Sequence, residues 1–119
     1  MKIINCSSGK TLADSALMAD TFWARLKGLL GRNTLPHGEA LILQPCSSVH
    51  TCFMKFSIDV VFLDQLGQVI QLHENLSPWR FTPIVRNAAT AVELPIGTIK
   101  AGDIKSGDTL IWVGGVLNV

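Results

Sequence analysis

The chain has 119 residues, 48% of them apolar and only 16% charged, which suits one domain around one core and excludes a disordered chain. Ten lysines and arginines face nine aspartates and glutamates with no run of like charge, so the linear pattern offers no footprint for nucleic acid or an anionic membrane. No segment approaches the ~20 apolar residues of a membrane span, the N-terminus lacks a signal-peptide core, and Cys6, Cys46 and Cys52 form an odd set without close pairs, which fits reduced thiols in a cytoplasmic protein.

Residues 2–6 and 12–18 are short apolar-rich runs on either side of Ser7-Ser8-Gly9-Lys10, a turn composition, and predict a hairpin or a pair of early strands. An amphipathic helix is predicted near residues 20–30. Asp20 or Thr21 can cap it, Phe22, Leu26, Leu29 and Leu30 recur at helical spacing, and Gly31 is placed to end it beside Arg32. Gly28 within such a helix costs about 1 kcal/mol relative to alanine, which points to close packing of its backbone on a sheet. Residues 40–43 predict a short strand, and Pro45 interrupts it. Residues 49–56 then alternate as a strand would, setting His50, Cys52, Met54 and Phe56 on one face and Val49, Thr51, Phe53 and Lys55 on the other.

Residues 59–63 and 69–73 are β-branched runs around Asp64-Gln65-Leu66-Gly67-Gln68 and predict a hairpin. Pro78 and Pro83 keep the next stretch irregular, residues 88–94 resume a strand pattern, and a short helix or turn follows through Ala101. Gly107-Asp108 delivers a last strand at residues 109–113, and Gly114-Gly115 releases a tail expected to fray over 114–119. Many short strands with one early helix predict a mainly β single domain over residues 1–119, arranged as a β-barrel or jelly-roll-like sandwich.

Four blocks occur in order: residues 25–32 (RLKGLLGR), His50-Thr51-Cys52-Phe53-Met54 with residues 58–64 (IDVVFLD), Pro78-Trp79-Arg80, and Glu93-Leu94-Pro95-Ile96-Gly97. Together they make the chain resemble, over about residues 12–112, the uncharacterised family numbered one hundred and ninety-two among the domains of unknown function. The resemblance implies a small β-rich barrel or jelly roll, found in bacteria and archaea and often exported or encoded near secretion and pilus genes. It supplies no established activity. Cys52 stands where the pattern usually has a bulky apolar residue, and Leu30 replaces a more usual methionine.

Polar groups set among apolar strand residues need hydrogen bonds, partners or a ligand. His50, Met54, Asp59 and Arg80 are the candidate lining of a concave pocket for a small polar ligand or a partner segment. Arg25, Arg32, Arg80 and Arg86 are able to meet Asp59, Asp64, Glu93 or Asp108, so Arg25, Arg32, Asp64 and Glu93 are assigned to a structural polar network at strand junctions.

Two alternatives involve the sulfur atoms. Cys46, His50 and Cys52, with Met54, offer soft donors for zinc or cuprous ion, although Cys52 and Met54 also suit a plain core. A thiolate nucleophile at Cys52 requires a base from another segment, such as His37 or His73, because side chains at i and i+2 on a strand run parallel. Trp79 serves as a stacking platform or a rim plug, and with Phe81 and Ile84 it makes an apolar patch suited to a structural interaction protein. The expected function is a binding or accessory domain with no cofactor, against a small metal-dependent or thiol enzyme of jelly-roll type.

Overall fold

The structure is a computed structural model and describes residues 1–115 and 118, apart from the side chain of Phe22. The expected fraying tail therefore falls partly outside the described residues. The fold is mainly β, with β1 (Lys2–Asn5), β2 (Lys10–Ala13), β3 (Ser15–Ala19), α1 (Phe22–Lys27), β4 (Glu39–Leu43), β5 (Ile58–Leu63), β6 (Val69–Leu76), β7 (Thr90–Pro95), α2 (Thr98–Ala101) and β8 (Leu110–Val113). The strands form two sheets, ordered β2-β1-β8 and β3-β4-β7-β5-β6, and no closed barrel is found among the described residues. No helix there is long and apolar enough to cross a membrane.

The early hairpin forms as the turn composition predicts, with β1 and β2 antiparallel and the Gly9 amide donating to the Asn5 carbonyl. At Asp14 the chain leaves this sheet. The Asp14 and Ser15 amides both bond the Gly38 carbonyl, which starts β3 as a parallel partner of β4 in the larger sheet. A parallel pair needs a crossover, and α1 lies within it. The Thr21 hydroxyl caps that helix by accepting from the Ala24 amide at 3.1 Å.

The helix stops earlier than its apolar spacing predicts. Gly28, at φ 48° and ψ −122°, is its C-cap, in a conformation that side-chain-bearing residues rarely adopt. Leu29 and Leu30 thus sit in the following turn, and the glycine ends the helix instead of interrupting it.

The β5–β6 hairpin matches its prediction. Asp64 braces the turn by accepting from the Leu66 and Gln68 amides, both at 2.9 Å. Its tip is seamed to the last strand through Leu110 N–H to the Gly67 carbonyl at 2.9 Å and Val69 N–H to the Asp108 carbonyl at 2.8 Å.

Every residue of β5 and β7 is buried, because both strands are interior to the larger sheet and covered on both faces. One face, carrying Ile42, Val61, Val92 and Leu94, packs with Ile3 and Leu110 of the smaller sheet. The other, carrying Leu41, Val60, Phe62 and Ala91, is covered by Leu29, Leu35, Val49 and Met54.

Residues 49–56 are not the strand their alternation predicts. The chain pairs briefly with residues 80–85 through Thr82 N–H to the Val49 carbonyl at 2.8 Å and Thr51 N–H to the Arg80 carbonyl at 2.7 Å, with a single bridge between His50 and Phe81. It then turns at Phe53, whose φ is 66°. The fully buried Thr51 locks the two loops together, its hydroxyl donating to the Ser77 carbonyl at 2.6 Å and accepting from the Arg80 amide at 2.9 Å. The expected common face of His50, Cys52, Met54 and Phe56 does not form.

Candidate functional site

The site begins with one residue of β7. Glu93 stands between Leu41 of β4 and Val60 of β5 in the register of the larger sheet, with apolar neighbours on both sides. It projects to the face that the end of α1 and residues 44–54 cover, and its exposure is 4%. Its Oε2 is buried and has no hydrogen-bond partner. Burial without a partner raises its pKa from 4.5 to about 8, so the carboxyl is protonated at neutral pH.

This carboxyl lines a cavity of about 390 Å³ together with Arg25 and Gly28 from α1 and its cap, Cys46, His50 and Met54. Local structure explains why space remains. A side chain at Gly28 would place its Cβ 3.8 Å from Glu93 Oε1, so the bare backbone of the helix cap lies over the carboxyl. Met54, 6% exposed, belongs to the apolar cluster beneath, while His50 is exposed at the rim.

Cys46 donates from Sγ to the Ser48 carbonyl at 3.0 Å. Burial pushes its thiol up from 9.0, the Glu93 charge adds to the shift, and the Ser48 contact and Arg25 oppose it. At neutral pH the cavity therefore presents a thiol and a carboxylic acid, with arginine as a fixed cation in the wall. Such a lining offers hydrogen-bond donors to a guest; it does not supply an activated thiolate.

The expected ligand set is only partly assembled. His50 and Met54 line the cavity, whereas Asp59 and Arg80 do not. Asp59 pairs with Leu94 in the β5–β7 register and Val60 with Glu93, so Asp59 points to the opposite face of the sheet. Its two oxygens are occupied there, Oδ1 accepting from Asn75 N–H at 2.9 Å and Oδ2 from Ile99 N–H at 3.0 Å. Arg80 is an exposed loop residue whose backbone, through Thr51, ties the two loops.

The expected network of Arg25, Arg32, Asp64 and Glu93 is corrected as well. Arg25 Nη1 donates to the Asp20 carbonyl at 2.9 Å, Arg32 pairs with Glu39 at 3.0 Å, and Asp64 serves its own turn. Among the described residues no arginine bridges Asp59, Asp64, Glu93 or Asp108. Nor do Cys46, His50 and Cys52 gather as a ligand set, since no group of three or more His, Cys, Asp or Glu suited to a metal ion occurs there. His73 hydrogen-bonds Gln71 at 2.8 Å and meets the Phe62 ring edge-on, so it is held within β6.

Sequence reasoning placed Glu93 in the network and missed its role in the cavity. The available signal was a carboxylate within Thr90-Ala91-Val92-Glu93-Leu94-Pro95, a run otherwise suited to a strand covered on both faces.

Comparison with known proteins places the fold and the sequence together. A solved protein of unknown function from Novosphingobium aromaticivorans superposes with a TM-score of 0.81 at 20% identity, over 93% of this chain and 82% of its own. A UPF0127 protein of Pyrococcus furiosus is 36% identical over 115 residues, covering 92% of this chain and 97% of the relative. One from Thermococcus sibiricus is 33% identical over 114 residues, covering 92% of this chain and 73% of the relative. The family profile DUF192, described as "Uncharacterized ACR, COG1430", matches residues 3–112, and the chain belongs to that family.

Proposed function

We propose that the chain is a small-ligand binding domain, a two-sheet sandwich whose cavity beneath α1 receives a largely apolar molecule with one hydrogen-bond-accepting head. The observation that carries this reading is Glu93, a residue of the cavity lining whose buried Oε2 has no hydrogen-bond partner. Leaving a buried polar group unsatisfied costs about 1–3 kcal/mol, and a guest that accepts from the protonated carboxyl removes that cost on binding. Leu26, Leu29, Leu43 and Val49 in the wall suit an apolar body, and Arg25 suits an accepting head that carries negative charge. The raised thiol of Cys46 favours binding over nucleophilic chemistry. Three free cysteines support a cytoplasmic setting.

Titration of the isotope-labelled protein with small carboxylic acids, amides and amines, followed by amide shifts, tests the reading. Acids and amides should perturb Gly28, Cys46 and Glu93 together. Glu93→Gln, which keeps a donor, should retain binding of both classes, and Glu93→Leu should lose it without unfolding. Preferential binding of amines would reverse the polarity assigned to Glu93. Equal binding by wild type and Glu93→Leu would remove the cavity from consideration.

A further inference from the structure

We propose that the paired loops at residues 49–56 and 77–85 form a platform that docks the domain on an anionic lipid surface. Phe53, Trp79, Phe81 and Ile84 protrude from these loops with exposures of 69%, 61%, 76% and 80%. Phe53 and Trp79 sit on neighbouring turns, at φ 66° and 65°, and their ring centroids are 4.5 Å apart. Bulky residues rarely hold this left-handed conformation. Here the buried Thr51 and Thr82 fix the backbone beneath, through Thr51 to Ser77 and Arg80 and through Thr82 Oγ1, which accepts from Val49 N–H at 3.0 Å. The aromatic tips are thus presented on a rigid base.

The charge on these loops selects the partner. Lys55, Arg80 and Arg86 are exposed, and residues 44–58 and 75–92 contain no aspartate or glutamate. Apolar tips flanked by cations complement a bilayer whose headgroups are anionic, where inserted apolar area and electrostatic attraction add. A protein partner would need matching pockets for four side chains that stand this far out, whereas a fluid bilayer admits them without a preformed complement. The linear charge pattern alone predicts no contact with an anionic membrane, and vesicle sedimentation decides between the two.

The full chain is sedimented with vesicles of phosphatidylcholine alone and of phosphatidylcholine mixed with phosphatidylglycerol. It should pellet with the mixed vesicles, remain in solution with the neutral ones, and be released by added salt. The F53N/W79N variant, in which asparagine tolerates the positive φ, should keep its thermal transition and bind at least about tenfold more weakly. Should that variant fail to fold, F81S/I84S provides the same comparison. Glu93→Gln should sediment like wild type, which separates this surface from the cavity. Wild-type protein that stays in solution with anionic vesicles at low salt overturns the proposal and leaves the face to a protein partner. A folded F53N/W79N that binds as tightly as wild type overturns it too.

Discussion

Asp59 and Glu93 are carboxylates on adjacent central strands, both nearly inaccessible, yet they lie on opposite faces of one sheet and in opposite states. Asp59 accepts one backbone hydrogen bond on each oxygen and fastens β6 and the start of α2 to the sheet. Glu93 has an unpartnered oxygen and borders empty space. Burial alone therefore does not identify a functional carboxylate. The hydrogen bonds that surround it do, since a satisfied group is part of the framework and an unsatisfied one has capacity for a guest.

The largest effect that would sharpen this contrast is pH dependence. The folded pKa of Glu93 is raised, so the folded state binds the extra proton, and its contribution to stability is full below pH 4.5 and is lost as pH rises to about 8. At about 1.4 kcal/mol per pKa unit, the full loss is on the order of 5 kcal/mol. Denaturant unfolding should show wild type weakening relative to Glu93→Gln as pH increases. A difference between the two proteins that does not change with pH would place the carboxyl in contact with water or a partner.

Asp59→Ala comes next. It orphans the buried Ile99 amide and the part-buried Asn75 amide and should cost about 2–3 kcal/mol in denaturant unfolding at neutral pH, with Asp59→Asn intermediate because its amide retains one acceptor. If Asp59→Ala were as stable as wild type, the two carboxylates would not differ in the way described.

Gly28→Ala should cost about 1–2 kcal/mol, through backbone strain at φ 48° and not through collision, because the new Cβ would lie at ordinary contact distances. Its cavity should still bind the ligands that shift Glu93, and a loss of binding larger than the loss of stability would show that the helix cap itself contacts the guest. The smallest effect is expected from Leu30→Met in the same wall, under about 1.5 kcal/mol by thermal melting, as a volume-conserving exchange.

Legibility in the sequence followed the range of the interactions. The β5–β6 hairpin and the Thr21 cap depend on neighbours in the chain, and turn chemistry with period-two patterning predicts them; the last strand is legible from its apolar run after Gly107-Asp108, although its partner β1 is distant in sequence. Residues 49–56 carry the same alternation for another reason. Val49 and Thr51 face inward because residues 80–85 lie alongside, and the αL turn at Phe53 ends the pairing. A bulky phenylalanine gives no local warning of positive φ. Gly28 signals the early end of α1: its backbone packs closely on the sheet, as its place in the helical pattern predicts, and it is also the helix cap, which that pattern does not reveal.

The site was half visible. His50 and Met54 do line the cavity, but whether Asp59 or Glu93 joins them depends on which face each occupies and on amides from β6 and α2, and neither property is encoded near the residue. Charge type alone pairs the arginines with distant carboxylates. In the fold Arg25 and Arg32 instead bond the nearby Asp20 carbonyl and Glu39.

The pairing of β1 with β8, Asn5 beside Leu110 and Lys2 beside Val113, has a temporal consequence. Because β1 precedes β8 by about a hundred residues, it cannot complete its sheet until β8 has emerged from the ribosome. Until then the β1–β2 hairpin has one unpaired edge, and closing the loop between residues 5 and 110 is an ordering that slows folding and exposes an edge to other chains. The seam between Gly67 and Leu110 aligns the late strand on a hairpin already complete, so the middle of the chain acts as a template on which its two ends meet.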